Sequence, residues 1–218
     1  MSTLERLERL ATRAKIRIEP QLSEKLRTYY DLLIHWNTRI KLTSVRDPDL
    51  SINRLLIEPL IAARKIPARD ISLLDVGSGG GSPSIPLKLA RPRLSLTMVE
   101  SKVKKAAFLR EAVRILDLQT AKVETERCED LLLRQEFREA MAFVSVRAVR
   151  IDKALLNRLQ AFLAPGGQIL LFRGPSGPDV PVSLGPTLYW QETIPLVEAL
   201  RSRLVILEKV TADQPEKP

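Results

Sequence analysis

Residues 73–87 read LLDVGSGGGSPSIPL, and they decide the fold. The run Ile71–Val76 is a continuous apolar pattern of strand length, the signature of a buried strand. Asp75 lies near its end. Gly77, Gly79 and Gly81 then follow at intervals of two, and Pro83 opens a helical pattern through Ala90. Glycine permits positive φ and lets a ligand lie against bare backbone. A helix following such a loop offers free N–H groups. In open α/β sheets, ligands bind beyond the carboxyl ends of the strands, which is where this loop falls.

Reading toward the C-terminus, short apolar runs alternate with helical patterns. Strands are predicted at 94–99 (ending at Glu100), 121–125, 143–146 and 168–172. A helix is predicted over 102–116, with Val103, Ala106, Ala107, Leu109 and Val113 on its inner face. Another is predicted over 151–163, stopped by Pro165-Gly166-Gly167. Residues 174–187, rich in proline and glycine, read as a loop. A closing pair of strands is predicted at 188–194 and 204–210 with no long helix between them, and 213–218 reads as a frayed tail. Strand–helix alternation argues for a doubly wound α/β fold, a mostly parallel sheet with helices on both faces. The closing pair adds an antiparallel strand at one edge.

Toward the N-terminus, residues 1–67 read as a helical extension packing on a main domain of 68–212. Ser2 and Glu5 have capping-box spacing. Pro20 precedes an apolar stripe through Leu26, Tyr29, Tyr30 and Leu33. Asp47-Pro48 looks like an N-cap followed by proline at N1, and Pro59 is expected to kink the helix beyond it. Trp36 is read as a core residue.

The 218 residues carry 35 Lys+Arg and 26 Asp+Glu, a net charge of +9. That excess invites a polyanion, and its even spread makes any such site a folded surface rather than a tail. The set Lys102, Lys104, Lys105, Arg110 and Arg114 is the candidate for phosphate contacts. A single cysteine excludes a disulfide framework. No apolar run approaches the ~20 residues needed to span a bilayer, so the chain is expected in the cytoplasm and away from membranes. No Cys/His cluster offers a metal site. His35, the only histidine, stands far from the glycine loop, and no Ser/His/Asp triad is evident.

The glycine loop constrains its ligand. A dinucleotide fingerprint needs glycine or alanine at the sixth position; counted from Gly77 that residue is Ser82, and from Gly79 it is Ser84. No G-K-[ST] is present. The pattern is D-x-G-x-G-x-G, in which Asp75 can pair with a cationic ligand end such as an amino-acid ammonium. Glu100 is placed to accept hydrogen bonds from both hydroxyls of a ribose. That feature alone fits NAD and S-adenosylmethionine equally.

DVGSGGGSPSIPL resembles the first motif of class I methyltransferases, with their Rossmann-like seven-stranded sheet. More narrowly, the chain resembles the family of the 16S ribosomal RNA guanine-N7 methyltransferase RsmG, also called GidB, over roughly residues 25–210. LLIHWNTRIKLTSVRDP (32–48), ESKVKKAAFLREAVRILDL (100–118), ERCED (126–130), VSVRAV (144–149) and RLVILEK (203–209) match its motifs in order. The resemblance implies S-adenosylmethionine as cofactor and 16S rRNA of the small ribosomal subunit as partner, with the chain acting as a monomer and without a metal. It implies that Gly77 and Ser82 touch the methionine and ribose portions of the cofactor, with Gly79 and Gly81 completing the loop. Cys128 and Glu129 bracket the adenine, and Arg147 lies near the transferred methyl. Arg54-Leu55-Leu56-Ile57-Glu58-Pro59 stands where the family has R-H-x-x-D-S. That departure motivates a second reading, a weakly active or inactive RNA-binding protein on the same scaffold.

Overall fold

The computed structural model describes residues 1–148, 151–176 and 187–210. The expected loop over 174–187 lies mostly outside them, as do the tail at 213–218 and Val149 of the VSVRAV segment.

Seven strands form one sheet in the order β3-β2-β1-β4-β5-β7-β6. They are β1 (Ile71–Val76), β2 (Leu94–Val99), β3 (Ala121–Glu124), β4 (Met141–Arg147), β5 (Leu163–Arg173), β6 (Leu188–Pro195) and β7 (Arg203–Lys209). Strands β3, β2, β1, β4 and β5 are mutually parallel. β7 runs antiparallel to β5 and to β6. The reversed strand therefore lies one place in from the edge, with β6 outside it. The chain winds outward from β1 to β3 and then returns to place β4 on the other side of β1. The crevice between the ends of β1 and β4 is the topological switch point, where α/β sheets bind ligands.

Successive strand residues point to opposite faces, and the sheet has two cores. Leu73, Leu96, Phe143, Leu170 and Ile206 face one, which also contains Leu7, Leu26, Leu33, Leu56 and Leu109 from the helices. Leu74, Val76, Val144, Ile169 and Leu207 face the other, with Leu131, Leu155, Leu159 and Phe162. The N-terminal helices α1 (Thr3–Arg13) and α2 (Pro20–Asn37) thus share a core with the sheet. Ser2 and Glu5 form the capping box of α1, and Asp47 caps α3 (Pro48–Ile52) through the Leu50 amide. Trp36 packs edge-on against Phe108 with ring centroids 5.7 Å apart.

Beyond α3 the chain continues through a π-helical turn, Asn53–Ile57, into α4 (Glu58–Ala62). Proline at 59 is thus absorbed by a π turn rather than by a simple kink.

Two local expectations are corrected. In α6 (Val103–Ile115), Val103 is 70% exposed and Ala107 is exposed too. The inner face is Ala106, Phe108, Leu109 and Ala112, and Val103, as the first helical residue, projects into solvent. Pro165-Gly166-Gly167 does not end a helix. α8 (Lys153–Phe162) stops earlier, and the three residues bulge within β5, where Leu163 faces Met141 but Gln168 already faces Phe143. Gly167 is required there, since a Cβ would lie 2.9 Å from both the Ala164 and Met141 carbonyls.

Candidate cofactor cleft and its surroundings

The glycine loop is pinned to the end of β2. The amides of Gly77 and Ser78 both donate to the Val99 carbonyl, at 2.9 and 3.0 Å. Gly77, Gly79 and Gly81 all have positive φ (74°, 54° and 81°), a region side-chain-bearing residues rarely adopt. The Tyr29 hydroxyl of α2 donates to the Gly80 carbonyl at 2.6 Å. Burial raises the pKa of that phenol, so it stays a neutral donor.

Two clefts flank this loop and meet at Gly77 and Glu100. One, about 370 Å³, lies between the loop, Leu42–Val45, Arg54, Lys105 and Arg147. The other, about 320 Å³, lies toward Glu126–Glu129, Leu155 and Arg158. Both volumes lie within the small-ligand range. A larger hollow of about 820 Å³, lined by Trp190, Leu196 and Arg201 at the β6 end, contains none of the sequence-predicted residues and is remote from the switch point.

The structure distributes the predicted residues unevenly. Gly77, Gly79, Ser82, Glu100 and Arg147 line the first cleft; Gly77, Glu100, Cys128 and Glu129 line the second. Gly81 lines neither. A Cβ on it would lie 2.5 Å from Ile85 Cδ1 and 3.1 Å from Leu109 Cδ2, so it is a packing glycine that lets the loop press onto α5 (Ser84–Ala90) and α6.

Asp75 also lines neither cleft, which corrects the expectation that it meets a cationic ligand end. It is 1% exposed. One carboxylate oxygen accepts from Ser145 Oγ at 2.6 Å, the other from Ser84 Oγ at 2.8 Å. Ser145 is its register partner across β1 and β4. Burial raises the Asp75 pKa, while the serine hydroxyls and the charge of Arg147 pull it back. Asp75 therefore ties the loop to the sheet from behind.

Glu100 sits at the junction of the clefts. Its Oε2 accepts from the Gly79 amide at 2.9 Å and its Oε1 from the Lys102 amide at 2.8 Å. Each oxygen retains a further lone pair for a ligand hydroxyl. On the outer side, Cys128 opens the short helix α7 (Cys128–Leu131). Its thiol donates to Glu129 Oε2 at 3.3 Å and is pushed up to about 11 by burial and by that carboxylate. Glu129 is held below the usual carboxylate range by its own amide, helped by the Cys128 thiol and the charge of Arg158, which it meets at 2.9 Å.

Arg147 is 8% exposed and pairs at 2.7 Å with Glu58, itself 4% exposed. It also donates to the Arg54 carbonyl at 2.6 Å and lies 4.6 Å from the Phe172 ring centroid. Burial lowers its pKa and Glu58 raises it. Arg147 Nε and Nη2 are buried without a partner among the described residues. Next to it Ala148, at φ 57°, turns the chain out of β4 beside the cleft. Sequence reasoning gave Tyr29 and Ser145 no part in the site and met Glu58 only as the acid of a divergent motif, because each acts on a residue 51 or more positions away.

The sequence profile described as rRNA small subunit methyltransferase G (GidB) matches residues 22–179. The chain belongs to that family. The ribosomal RNA small subunit methyltransferase G of Chloroflexus aggregans is 39% identical over 146 residues, 67% of this chain and 61% of that protein. The protein of the same name from a Roseiflexus species is 32% identical over 196 residues, 90% of this chain and 80% of that protein. Among solved structures, the putative methyltransferase yhhF of Escherichia coli superposes with a TM-score of 0.55 at 12% identity, covering 78% of this chain and 91% of that one. A SAM-dependent methyltransferase of Aquifex aeolicus gives 0.51 at 12% identity, covering 74% and 93%. These two likenesses establish the class I methyltransferase fold. Family and fold together make this chain a methyltransferase of the class I fold.

The cleft fits S-adenosylmethionine, the cofactor that the fold implies. Its two parts meet at a carboxylate with spare acceptor capacity, it runs along bare glycine backbone, and Arg147 offers it buried donors that are unengaged among the described residues. No group of His, Cys, Asp and Glu among the described residues could hold a metal ion. No helix among them is long and apolar enough to cross a membrane.

Proposed function

We propose that this chain transfers a methyl group from S-adenosylmethionine to N7 of a guanine in 16S rRNA of the small ribosomal subunit. The observation that carries this reading is the two-part cleft at the β1/β4 switch point of a chain belonging to the small-subunit rRNA methyltransferase G family. S-adenosylmethionine supplies an electrophilic methyl on a sulfonium. Gly77 and Gly79 offer backbone along its methionine and ribose portions, with Ser82 beside them, and Glu100 accepts from the ribose hydroxyls. Cys128 and Glu129 bracket the adenine. Arg147 faces the methionine end. Asp75 and Gly81 shape the loop without touching the ligand.

Guanine N7 has a free lone pair at neutral pH, so its methylation needs alignment and desolvation rather than a general base. The cleft suits such a reaction. The remaining lone pairs of Glu100 go to the ribose hydroxyls, the Arg147 guanidinium is a poor base, and the Cys128 thiol stays protonated at neutral pH.

A cationic surface surrounds the mouth. Lys41 and Arg46 flank the lining segment, Arg54 and Lys105 line the cleft, and exposed Lys102 and Lys104 stand beside it. None of the six has an ion-pair partner among the described residues. By contrast Arg114 is engaged by Glu111 at 2.7 Å, and Arg110 donates to Thr125. Of the five cations expected to face phosphates, the three lysines remain available. A ribosomal substrate places the activity in the cytoplasm.

The test is methyl transfer from labelled S-adenosylmethionine to small subunits that lack the modification, followed by nucleoside mass analysis. Labelled 7-methylguanosine is the expected product, and subunit binding weakens steeply with salt. Subunit binding without transfer supports the inactive RNA-binding reading, and a different methylated nucleoside overturns the N7 assignment.

A further inference from the structure

The π turn before α4 turns the usual donor of one backbone carbonyl away and sets a proline at the position of the next one's donor. The Glu58 amide donates five residues back, to Asn53. The next residue, Pro59, has no N–H. The Arg54 carbonyl thus has its usual donor turned to Asn53 and a proline beyond it, and the Leu55 carbonyl faces that proline directly. Both are satisfied from the cofactor cleft. Arg147 Nη1 donates to Arg54 at 2.6 Å, and Ser82 Oγ donates to Leu55 at 2.9 Å. One turn on, Glu58 Oε2 approaches the same Arg147 nitrogen at 2.7 Å.

This arrangement exceeds what the fold requires. A buried ion pair adds little stability over a well-packed apolar pair of similar volume. Here it also leaves Arg147 Nε, Arg147 Nη2 and Glu58 Oε1 buried without partners among the described residues. Unsatisfied buried polar groups are unfavourable unless something completes them. Arg147 lines the cleft, so a bound molecule can do so.

We infer that Glu58 is a positioning residue for methyl transfer. With the Arg54 carbonyl freed by the π turn and Pro59, it fixes the Arg147 guanidinium by one nitrogen. The remaining donors stay open for an acceptor group of the bound cofactor. The helix over 48–65 is thereby part of the cofactor site. The inference rests on the reading of Arg147 as a cofactor-facing residue.

The test compares Glu58→Gln, Glu58→Asp, Pro59→Ala and Arg147→Lys, with kcat and KM for S-adenosylmethionine on small subunits and Kd for S-adenosylhomocysteine by calorimetry. Glu58→Gln lowers kcat/KM by about a hundredfold, the scale of a misplaced binding group, and Glu58→Asp recovers most of it. Added to Arg147→Lys, Glu58→Gln changes kcat/KM by less than about threefold, because the two act as one unit. Pro59→Ala restores a helical donor that competes for the freed carbonyls. That variant melts no lower than the parent yet binds S-adenosylhomocysteine more weakly. Parental kinetics in Glu58→Gln, or independent effects of Glu58→Gln and Arg147→Lys, overturn the inference. If Glu58→Gln fails to fold, Pro59→Ala decides, and full affinity in that variant overturns it. If Arg147→Lys itself leaves affinity and turnover unchanged, the assignment of Arg147 to the site is what fails.

Discussion

On the β4 side of the cleft, Asp75, Ser84, Ser145, Glu58 and Arg147 are buried and bound to one another or to backbone across four segments of the chain. On the α7 side, Cys128, Glu129 and Arg158 hold each other at or near the surface, Arg158 and Glu129 being 42% and 45% exposed. The first wall has its shape imposed by the core, so a change there propagates into the fold. The second rests on a short helix and a screened ion pair, and it can adjust to what it holds. A methyl donor needs its reactive end fixed within fractions of an ångström, whereas a flat base needs only to be sandwiched.

Substitutions rank accordingly. Gly81→Ala strikes the rigid wall hardest. It places a methyl 2.5 Å from Ile85 at a φ of +81°. A loss of about 3 kcal/mol in urea unfolding is expected, from strain and overpacking together. Parental stability shows the loop to be as adaptable as the other wall.

Asp75→Ala comes next, at about 2 kcal/mol, since it strands the buried Ser145 hydroxyl and leaves Ser84 only a 3.3 Å contact with the Gly81 carbonyl. Asp75→Asn keeps the shape and sharpens the electrostatics. Burial raises the folded pKa of Asp75 above its ordinary 3.8, so the fold favours the protonated acid. That contribution is complete below the unfolded pKa and is lost as pH rises through the folded one. The stability of the parent relative to Asp75→Asn should therefore fall as pH rises above about 3.8 and then level off. A difference that grows with pH means the ionised acid is the form the fold prefers.

Arg158→Ala removes a half-exposed pair and is expected to change stability by less than about 1 kcal/mol. A larger loss means that the α7 wall is held as rigidly as the β4 side. The smallest effect is at Cys128. Its thiol is pushed up to about 11, so iodoacetamide should label it far more slowly at mildly alkaline pH than it labels glutathione. Rapid labelling reveals a thiolate and an electrostatic setting unlike the one described.

The sheet was legible because its strands are compact apolar runs, and the glycine loop because glycines in register after a strand carry a backbone requirement. What escaped was whatever depends on register between distant segments. Asp75 stands at the end of a strand in any reading of the sequence. Only the pairing of β1 with β4 shows that Ser145 lies beside it and turns it inward. Pro59 was readable as a distortion, but which groups would claim the carbonyls it frees depends on a loop and a strand later in the chain. Pro165-Gly166-Gly167 misled for a related reason. A helix stop and a strand bulge both draw on glycine's freedom, and the register with Met141 distinguishes them.

The tie between Glu58 and Arg147 also bears on how the chain is assembled. These residues leave the ribosome with 88 others between them. Until β4 is made and pairs with β1, the Glu58 carboxylate lacks its Arg147 partner, and burying it alone is strongly unfavourable. A nascent chain ending before residue 147 can form α1, α2 and β1, but it has reason to keep the segment around Glu58 in water. Burial of the segment around Glu58 against the glycine loop then waits for β4, so this wall of the binding site is completed only when the middle of the sheet is.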